Sequence, residues 1–367
     1  MTLPIPPLEW QQKSAELVQQ LGEKIVREGV LSFADYMQAA LYWPGLGYYS
    51  NGLKKFGMHG DFVTAPEISP LFAQCLAEAI MPALQQQVLP VILELGAGSG
   101  QLAVDLLLAL EALNALPEHY FILELSAELS QRQRQKLTQQ LPHLVSRVQW
   151  LTRLPSQLQA VVIANEVIDA MPVERFCYQQ GRFWQYQVSC EKNRVRDSLT
   201  EPSAELQSAL TELASKTAIA NEGYQSEINL YLPAWLNSLA NSLTAGQLWL
   251  FDYGFEREVY YHPQRTQGTL MCHYRHYAHT DPYFWPGLQD ITAHVDFTAA
   301  AEAAIQAGFR IKWYDSQAKF LLKAGILTKA QNENGSVSKN YAVTQAVKRF
   351  LLPAEMGEAF KVLVLDR

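Results

Sequence analysis

Apolar runs and amphipathic segments alternate along most of the chain. Runs with the length and composition of buried strands recur at 91–95, 120–125, 161–164, 247–252, 310–316 and 360–365. Segments with apolar residues at helical spacing accompany them, at 102–113, 127–140, 233–243, 297–307 and 338–352. Alternating strand and helix patterns are typical of βαβ units. The pattern therefore predicts an α/β fold with a mostly parallel sheet.

Other parts of the chain depart from this alternation. Helical spacing at Ser14–Glu28 and at Phe33–Leu41, the latter capped by Ser32, predicts a helical segment before the sheet. Two strand patterns joined by Gln180-Gly181 and followed by a helix predict an inserted subdomain. The predicted organisation is an N-terminal helical and loop segment 1–83, the first half of the core 84–172, an insertion 173–229, and the second half 230–367 with a long irregular loop rich in His, Tyr and Pro at 254–290.

The sequence VILELGAGSGQL at Val91–Leu102 places a glycine-rich turn between a buried strand and a helix. Gly96, Gly98 and Gly100 let the backbone turn sharply and approach a ligand closely, because glycine has no Cβ. The third glycine comes earlier than in the dinucleotide motif, and no Gly-Lys-Ser/Thr follows as in a P-loop. Glu94 precedes the turn, where a carboxylate suits a cationic ligand. The arrangement favours S-adenosylmethionine, whose sulfonium and amino groups are positively charged; the alternative is a structural turn without a ligand.

Three core strands end in acidic residues: Glu94, Glu124 and Glu166. The carboxyl ends of parallel strands meet at one edge of the sheet, where ligands bind. Glu124 is placed to bind the ribose hydroxyls of the cofactor; the alternative is a solvent-facing acid. Asn165 and Glu166 lie where a methyl donor and its acceptor meet, and we predict them, with Asp169, as catalytic residues. Asp169 also suits an acid at a helix N-terminus, and Asn165 a residue that holds the turn or contacts the cofactor.

A guanidinium acceptor would need carboxylates that hold its positive charge and orient one nitrogen. Glu67 is a candidate second acid for this role. His294 and Asp296 alternate toward one face and are candidates for the same site, although Asp296 is also positioned to cap the following helix. We therefore predict Glu67, His294 and Asp296 as substrate-binding residues.

Several histidines and a cysteine lie close together in sequence and could form a metal site, but their spacing does not favour one. Cys272, His273, His276 and His279 lie close in sequence, but Pro282 and Pro286 indicate a loop rather than a metal-binding helix. We predict no metal site.

The composition of the chain limits which kinds of binding partner and which cellular location we predict. The 367 residues are 49% hydrophobic and 18% charged, with a net charge of −7. This balance argues against binding to nucleic acid or to an anionic membrane, and no apolar run is long enough for a membrane span. The four cysteines are scattered, which predicts reduced thiols. With no export or import signal visible, these features predict a cytoplasmic protein.

Several longer motifs accompany the glycine turn. They are GDFVTAPEIS at 60–69, IANEVIDAMPV at 163–173, FDYG at 251–254, DITAHVDF at 290–297 and MGEAFK at 356–361. Together they resemble the MidA-type S-adenosylmethionine-dependent methyltransferases, which are relatives of the mitochondrial complex I assembly methyltransferase. The resemblance covers nearly the whole chain. It implies a class I methyltransferase fold with a Rossmann-like, seven-stranded, mostly parallel sheet.

The resemblance also implies a cofactor and a reaction. The cofactor is S-adenosyl-L-methionine, with the N-terminal segment covering its site. The implied contacts are Thr64, Pro66, Glu94, Gly96, Ala97, Gly98, Gly100, Glu124 and Asn165. The mitochondrial members methylate an arginine of a complex I subunit, which favours a protein arginine as the acceptor. The loop at 272–276 differs from the usual one, which weakens the transfer of acceptor-site residues most.

Three functions are consistent with these residues. The first is a methyltransferase acting on a protein side chain, in a chain for which a homodimer is the candidate assembly. The second is a methyltransferase acting on a small molecule, since no residue pattern demands a protein acceptor. The third is an assembly or binding factor whose cofactor site no longer supports catalysis.

Overall fold

The computed structural model describes residues 3–52, 64–191, 194–332 and 337–367. Its helices are α1 Leu8–Glu28, α2 Phe33–Tyr42, α3 Ala65–Ile68, α4 Leu71–Gln85, α5 Gln101–Ala112, α6 Ala127–Gln140, α7 Ala204–Lys216, α8 Leu232–Ser242, α9 Arg257–Tyr260, α10 Phe297–Gln306, α11 Gln317–Lys323, α12 Ile326–Asn332, α13 Val337–Leu351 and α14 Met356–Ala359. Its strands are β1 Leu31–Ser32, β2 Val91–Leu95, β3 His119–Leu123, β4 Val148–Leu151, β5 Leu158–Asn165, β6 Glu174–Gln179, β7 Arg182–Glu191, β8 Arg194–Thr200, β9 Gln225–Ile228, β10 Leu243–Phe255, β11 Met271–Tyr274, β12 Tyr277–His279, β13 Asp290–Thr292, β14 Val295–Asp296, β15 Arg310–Ser316 and β16 Phe360–Asp366. Within the described residues, no helix has the length and hydropathy needed to cross a membrane.

The chain divides into two compact units. The first unit contains residues 1–62, 169–232 and 255–298, and the second unit contains residues 63–168, 233–254 and 299–367. The segment predicted as an insertion, 173–229, falls within the first unit. Each unit has its own core of buried apolar side chains.

The second unit is built on a mixed sheet in the order β15-β16-β10-β5-β2-β3-β4. The neighbours from β4 to β10 run parallel, whereas β16 runs antiparallel to both β10 and β15. The α/β class is therefore confirmed, with mixed rather than purely parallel pairing. The order places β2 between β3 and β5, so the carboxyl ends of these three strands are neighbours.

The sequence explains why these elements form the centre of the sheet. All five residues of β2 are buried, as expected of a parallel strand covered on both faces. Helix α6 begins after Ser126, whose Oγ accepts a hydrogen bond from the Leu129 N–H at 3.2 Å. Along α6 the buried residues are Leu129, Gln133 and Leu137, four positions apart, which is one face of a helix.

The first unit is built on an antiparallel sheet around the predicted hairpin. Its strands lie in the order β1-β7-β6-β9, with β8 on the other side of β7. The turn residues Gln180 and Gly181 have φ angles of 55° and 73°, which suit a two-residue hairpin. Ser32 caps α2 as predicted, because its Oγ accepts from the Asp35 N–H at 3.1 Å. Helices α1 and α2 share a buried cluster with β7 that includes Leu21, Phe33 and Val188.

The segment predicted as one irregular loop contains regular structure. Strands β11, β12 and β13 form a small antiparallel sheet in the order β12-β11-β13. Arg275 and His276 form the turn between β11 and β12, with φ angles of 49° and 65°. A hairpin turn at such φ angles is usually signalled by Asn or Gly, and this turn has neither. The prediction of an irregular loop at 254–290 is therefore wrong for this part.

Candidate active site

The glycine turn follows the carboxyl end of β2. Gly96, Gly98 and Gly100 have φ angles of 64°, 53° and 76°, in the left-handed region that favours glycine. The Gly96 N–H donates to the Leu123 carbonyl at 3.0 Å, which ties the turn to the end of β3. A Cβ on Gly100 would lie 3.3 Å from Cγ of Gln133, so glycine also permits the close approach of α6. The turn is held in one conformation beside the ends of two strands.

A buried carboxyl group lies directly before the turn. Glu94 is 3% exposed, and its Oε2 accepts a 2.7 Å hydrogen bond from the Tyr120 hydroxyl. Burial raises the pKa of Glu94 to about 7; the bond from Tyr120 opposes the rise, and the nearby Glu124 carboxylate adds to it. Because burial and a like charge both disfavour the ionised form, a cation at this edge would stabilise it.

Glu124 follows β3 immediately and is held by two donors. Its Oε1 accepts from the Ser126 N–H at 2.9 Å, and its Oε2 accepts from Nε2 of Gln133 at 3.0 Å. The same Nε2 donates to the Gly98 carbonyl at 2.9 Å. Gln133 therefore links the predicted ribose-binding carboxylate to the glycine turn. Leu125, the next residue along the chain, leaves 79% of its side chain exposed.

Asn165 and Glu166 occupy the carboxyl end of β5. Glu166 has a φ of 54°, which is uncommon for any residue but glycine, and its N–H donates to the Phe251 carbonyl at 2.8 Å. The Glu166 Oε1 accepts from Nδ2 of Asn165 at 3.1 Å and from the Ala65 N–H at 3.3 Å. Residues held in sparsely populated backbone conformations cluster at functional sites. The Asn165 Oδ1 is buried, and among the described residues no donor reaches it.

Helix α3 contacts the glycine turn through Glu67. The Glu67 carboxylate accepts a hydrogen bond from the Ser99 hydroxyl, and Lys136 lies 3.4 Å from the same hydroxyl oxygen. Burial lowers the pKa of Lys136, and the carboxylate of Glu67 raises it. The structure thus places Glu67 against the turn. Thr64 is the N-cap residue of the same helix, and Pro66 is buried within its first turn.

The other predicted site residues belong to the first unit. Asp169 is 5% exposed, and its carbonyl accepts from the Ala293 N–H at 3.0 Å. His294 stacks on Phe255 with ring centroids 5.2 Å apart, and burial lowers its pKa to about 4. Asp296 forms a largely buried ion pair with Arg257 at 3.3 Å.

The structure identifies three residues that the sequence analysis missed. They are Tyr120, which donates to Glu94, Gln133, which bridges Gly98 and Glu124, and Asp252. The Asp252 carboxylate accepts from the N–H groups of Ile168 and Tyr253, both at 3.0 Å. Two of the three had a sequence signal: Gln133 is a polar residue on the apolar face of α6, and Asp252 is an acid near the end of a core strand.

Two further sequence predictions concern the motif at 60–69 and the absence of a metal site. The motif at 60–69 lies partly outside the described residues, which resume at Thr64. Among the residues that the structure describes, no group of three or more His, Cys, Asp and Glu side chains is arranged to hold a metal ion.

Comparison with known proteins decides the family. A family model for S-adenosyl-L-methionine-dependent methyltransferases matches residues 75–315. The chain belongs to this family. The methyltransferase is 42% identical to a Burkholderia thailandensis protein solved with bound S-adenosyl-homocysteine, with a TM-score of 0.94 over 100% of this chain and 95% of that chain.

Two curated relatives are less similar in sequence, and the matches to them cover nearly the whole chain. The methyltransferase is 26% identical to the protein arginine methyltransferase NDUFAF7 homolog, mitochondrial, of Drosophila melanogaster, over 98% of this chain and 88% of the relative. It is 25% identical to protein arginine methyltransferase NDUFAF7, mitochondrial, of Danio rerio, over 97% of this chain and 90% of the relative.

These matches confirm three predictions and overturn one. The family, an enzyme that transfers a methyl group, and S-adenosyl-L-methionine as its cofactor are confirmed. The prediction of a cytoplasmic location is wrong, because the curated relatives are named as mitochondrial proteins. That prediction relied on the scattered cysteines and on the lack of a visible targeting signal, and reduced thiols exclude only oxidising compartments.

Proposed function

We propose that this methyltransferase methylates a nitrogen of a protein side chain, with arginine as the first candidate. The observation that carries the proposal is the pair Asn165 and Glu166 at the end of β5. It combines a buried acceptor oxygen, for which the described residues provide no donor, with a carboxylate held by the Ala65 N–H. A guanidinium group offers N–H donors and a positive charge, and this pair offers an acceptor and a negative charge.

The second unit suits the cofactor at the same edge of the sheet. The left-handed glycine turn leaves the backbone accessible to a ligand, and the buried Glu94 carboxyl favours a cationic one. Glu124, oriented by the Ser126 N–H and by Gln133, is the residue that would hold the ribose hydroxyls. When bound, S-adenosyl-L-methionine supplies a methyl group activated by a positively charged sulfur.

The roles of the two residues at the end of β5 follow from their chemistry. The Asn165 Oδ1 accepts an N–H of the acceptor and so orients the nitrogen that is methylated. The Glu166 carboxylate would hold the positive charge of the acceptor. It would also take the proton that the nitrogen loses as its bond to the methyl carbon forms and the bond between that carbon and the cofactor sulfur breaks. The hydrogen bond from Glu166 N–H to the Phe251 carbonyl keeps this carboxylate at the strand end.

The names of the relatives support arginine as the acceptor. Both are protein arginine methyltransferases, and the matches extend over at least 97% of this chain. Because this chain is 26% and 25% identical to these relatives, we propose the same acceptor for it. We also retain Asp169 as a proposed catalytic residue, and Glu67, His294 and Asp296 as proposed substrate-binding residues.

Methyl transfer from labelled cofactor tests the proposal. Purified protein is incubated with S-adenosyl-L-methionine tritiated at the methyl group and with cell lysate, and labelled proteins are hydrolysed for amino-acid analysis. Wild type should label a protein band that yields methylarginine, and Glu166→Gln should lower the labelling at least about 100-fold. Glu118→Gln, an exposed acid in the same unit, serves as the matched control.

Two results would contradict the acceptor assignment. Label found only in small molecules would favour the small-molecule methyltransferase, and label in a residue other than arginine would exclude the arginine acceptor. Sedimentation of the purified protein tests the proposed homodimer separately.

A further inference from the structure

Both polar atoms of one buried glutamine side chain form hydrogen bonds, and these connect the glycine turn to Glu124 in the proposed cofactor site. Gln133 has no exposed surface. Its Nε2 donates to the Gly98 carbonyl at 2.9 Å and to Oε2 of Glu124 at 3.0 Å, and its Oε1 accepts from Nε1 of Trp150 at 2.9 Å. The glycine turn, the end of β3 and strand β4 are thus joined through one side chain.

The orientation of this amide is determined by its neighbours. An indole N–H is only a donor, so Trp150 must face the carbonyl oxygen of Gln133. The two N–H groups then point to the Gly98 carbonyl and the Glu124 carboxylate, which are both acceptors. A flipped amide would place its oxygen against these two acceptors and its N–H groups against the indole N–H. Because every partner favours the same orientation, Gln133 sets the separation between Gly98 and Glu124.

Backbone packing supports the same conclusion. A Cβ on Gly100 would lie 3.3 Å from Cγ, 3.5 Å from Cβ and 3.6 Å from Cα of Gln133. Helix α6 therefore approaches the glycine turn closely at this residue. The short distance lets the side chain reach the Gly98 carbonyl and the Glu124 carboxylate at once.

We propose that Gln133 is a positioning residue that sets the affinity for the cofactor by holding the glycine turn and Glu124 in register. This inference rests on the proposed placement of the cofactor at Gly98 and Glu124. Gln133 holds these two parts of the site by donating hydrogen bonds to the Gly98 carbonyl and to the Glu124 carboxylate.

The test uses the isosteric substitution Gln133→Glu and its combination with Glu124→Gln. In the single variant, a carboxylate faces both the Gly98 carbonyl and Glu124, so binding of S-adenosyl-homocysteine should weaken at least about tenfold. In the double variant, the amide at 124 donates to the carboxylate at 133, which restores one hydrogen bond. Glu124→Gln alone is measured as well, because it also removes the proposed ribose-binding carboxylate. The double variant should lose less binding free energy than the sum of the losses in the two single variants, a coupling that loss of packing alone would not produce.

Isothermal titration calorimetry measures these affinities, with circular dichroism to compare the folded content of each variant. Gln135→Met, on an exposed position of the same helix, is the control for Gln133→Met and should bind like wild type. If Gln133→Glu does not fold, Gln133→Met provides the measurement and should bind about tenfold more weakly.

Two results would overturn the inference. One is binding within twofold of wild type by Gln133→Glu, or by Gln133→Met if the first variant does not fold. The other is a double variant whose loss of binding free energy equals the sum of the losses in Gln133→Glu and Glu124→Gln. If wild type itself fails to bind S-adenosyl-homocysteine, the proposed cofactor placement fails instead, and the two failures are distinguishable.

Discussion

The affinity for S-adenosyl-L-methionine should rise as the pH increases from 6 to 8, because binding a cation requires Glu94 to lose its proton. Burial raises the pKa of Glu94 to about 7, the Tyr120 hydrogen bond opposes the rise, and Glu124 adds to it. Below this pKa the carboxyl is neutral and above it the carboxylate is charged. Since a bound cation favours the charged form, binding releases a proton and strengthens with pH.

The size of the effect follows from the pKa. With a pKa of about 7, roughly 9% of Glu94 is ionised at pH 6 and roughly 91% at pH 8. If the cofactor binds only the ionised form, Kd falls about tenfold over this range, which is about 1.4 kcal/mol. At pH 7, binding should release about half a proton.

Two substitutions separate Glu94 from other titrating groups. Glu94→Gln removes the carboxyl and should flatten the part of the profile that Glu94 causes. Tyr120→Phe removes the 2.7 Å hydrogen bond that favours the ionised form, so the pKa of Glu94 should rise further and the midpoint should move to higher pH. The α-amino group of the cofactor also titrates near pH 8, and Glu94→Gln corrects for that contribution.

Isothermal titration calorimetry at half-unit steps from pH 6 to 8, in two buffers with different ionisation enthalpies, gives both Kd and the number of protons released. The reasoning is refuted if wild type and Glu94→Gln show the same pH profile. It is also refuted if Tyr120→Phe moves the midpoint to lower pH.

Three further predictions concern catalysis, the glycine turn and stability. Glu166→Gln should lower methyl transfer at least about 100-fold while S-adenosyl-homocysteine binds within about threefold of wild type, as measured by tritium transfer and calorimetry; a parallel loss of binding would remove Glu166 from catalysis. Gly98→Val should abolish cofactor binding, since a φ of 53° costs a residue with a Cβ about 1–2 kcal/mol and the side chain enters the turn; normal binding in a titration would show that the site lies elsewhere. Asp296→Asn removes the carboxylate that lies 3.3 Å from the guanidinium of Arg257, in an ion pair whose side chains are 11% and 12% exposed. Because the substitution leaves a largely buried charge without its partner, it should destabilise the first unit by about 3–5 kcal/mol, as measured by thermal denaturation. An unchanged melting temperature would contradict this prediction.

Local patterns were enough to predict most elements of the second unit. The bounds of α6, β2 and β15 agree with the sequence prediction at every residue. Helix α6 has an N-cap serine before it, and β2 is a run of five buried residues with the sequence VILEL. Such signals depend on neighbours a few positions away, so the sequence alone contains them.

Elements without a local signal were missed. Strand β4 has one buried residue, and β11 and β12 form a hairpin whose turn lacks Asn and Gly. These strands form because partners distant in sequence pair with them, as β3 does with β4 and β13 with β11. Pairing of this kind is a tertiary property.

The sequence by itself determined which family motifs are present and which acids end the core strands. It placed Glu94, Glu124 and Glu166 at one edge, because residues at the ends of adjacent parallel strands must lie there. Only the tertiary structure decided what each acid does at that edge. Glu94 is buried against Tyr120, Glu124 is held through Gln133, and the backbone of Glu166 is left-handed. The physical reason is that burial, pKa and hydrogen bonding depend on atoms that the fold brings together from distant parts of the chain, and a local pattern contains no record of them.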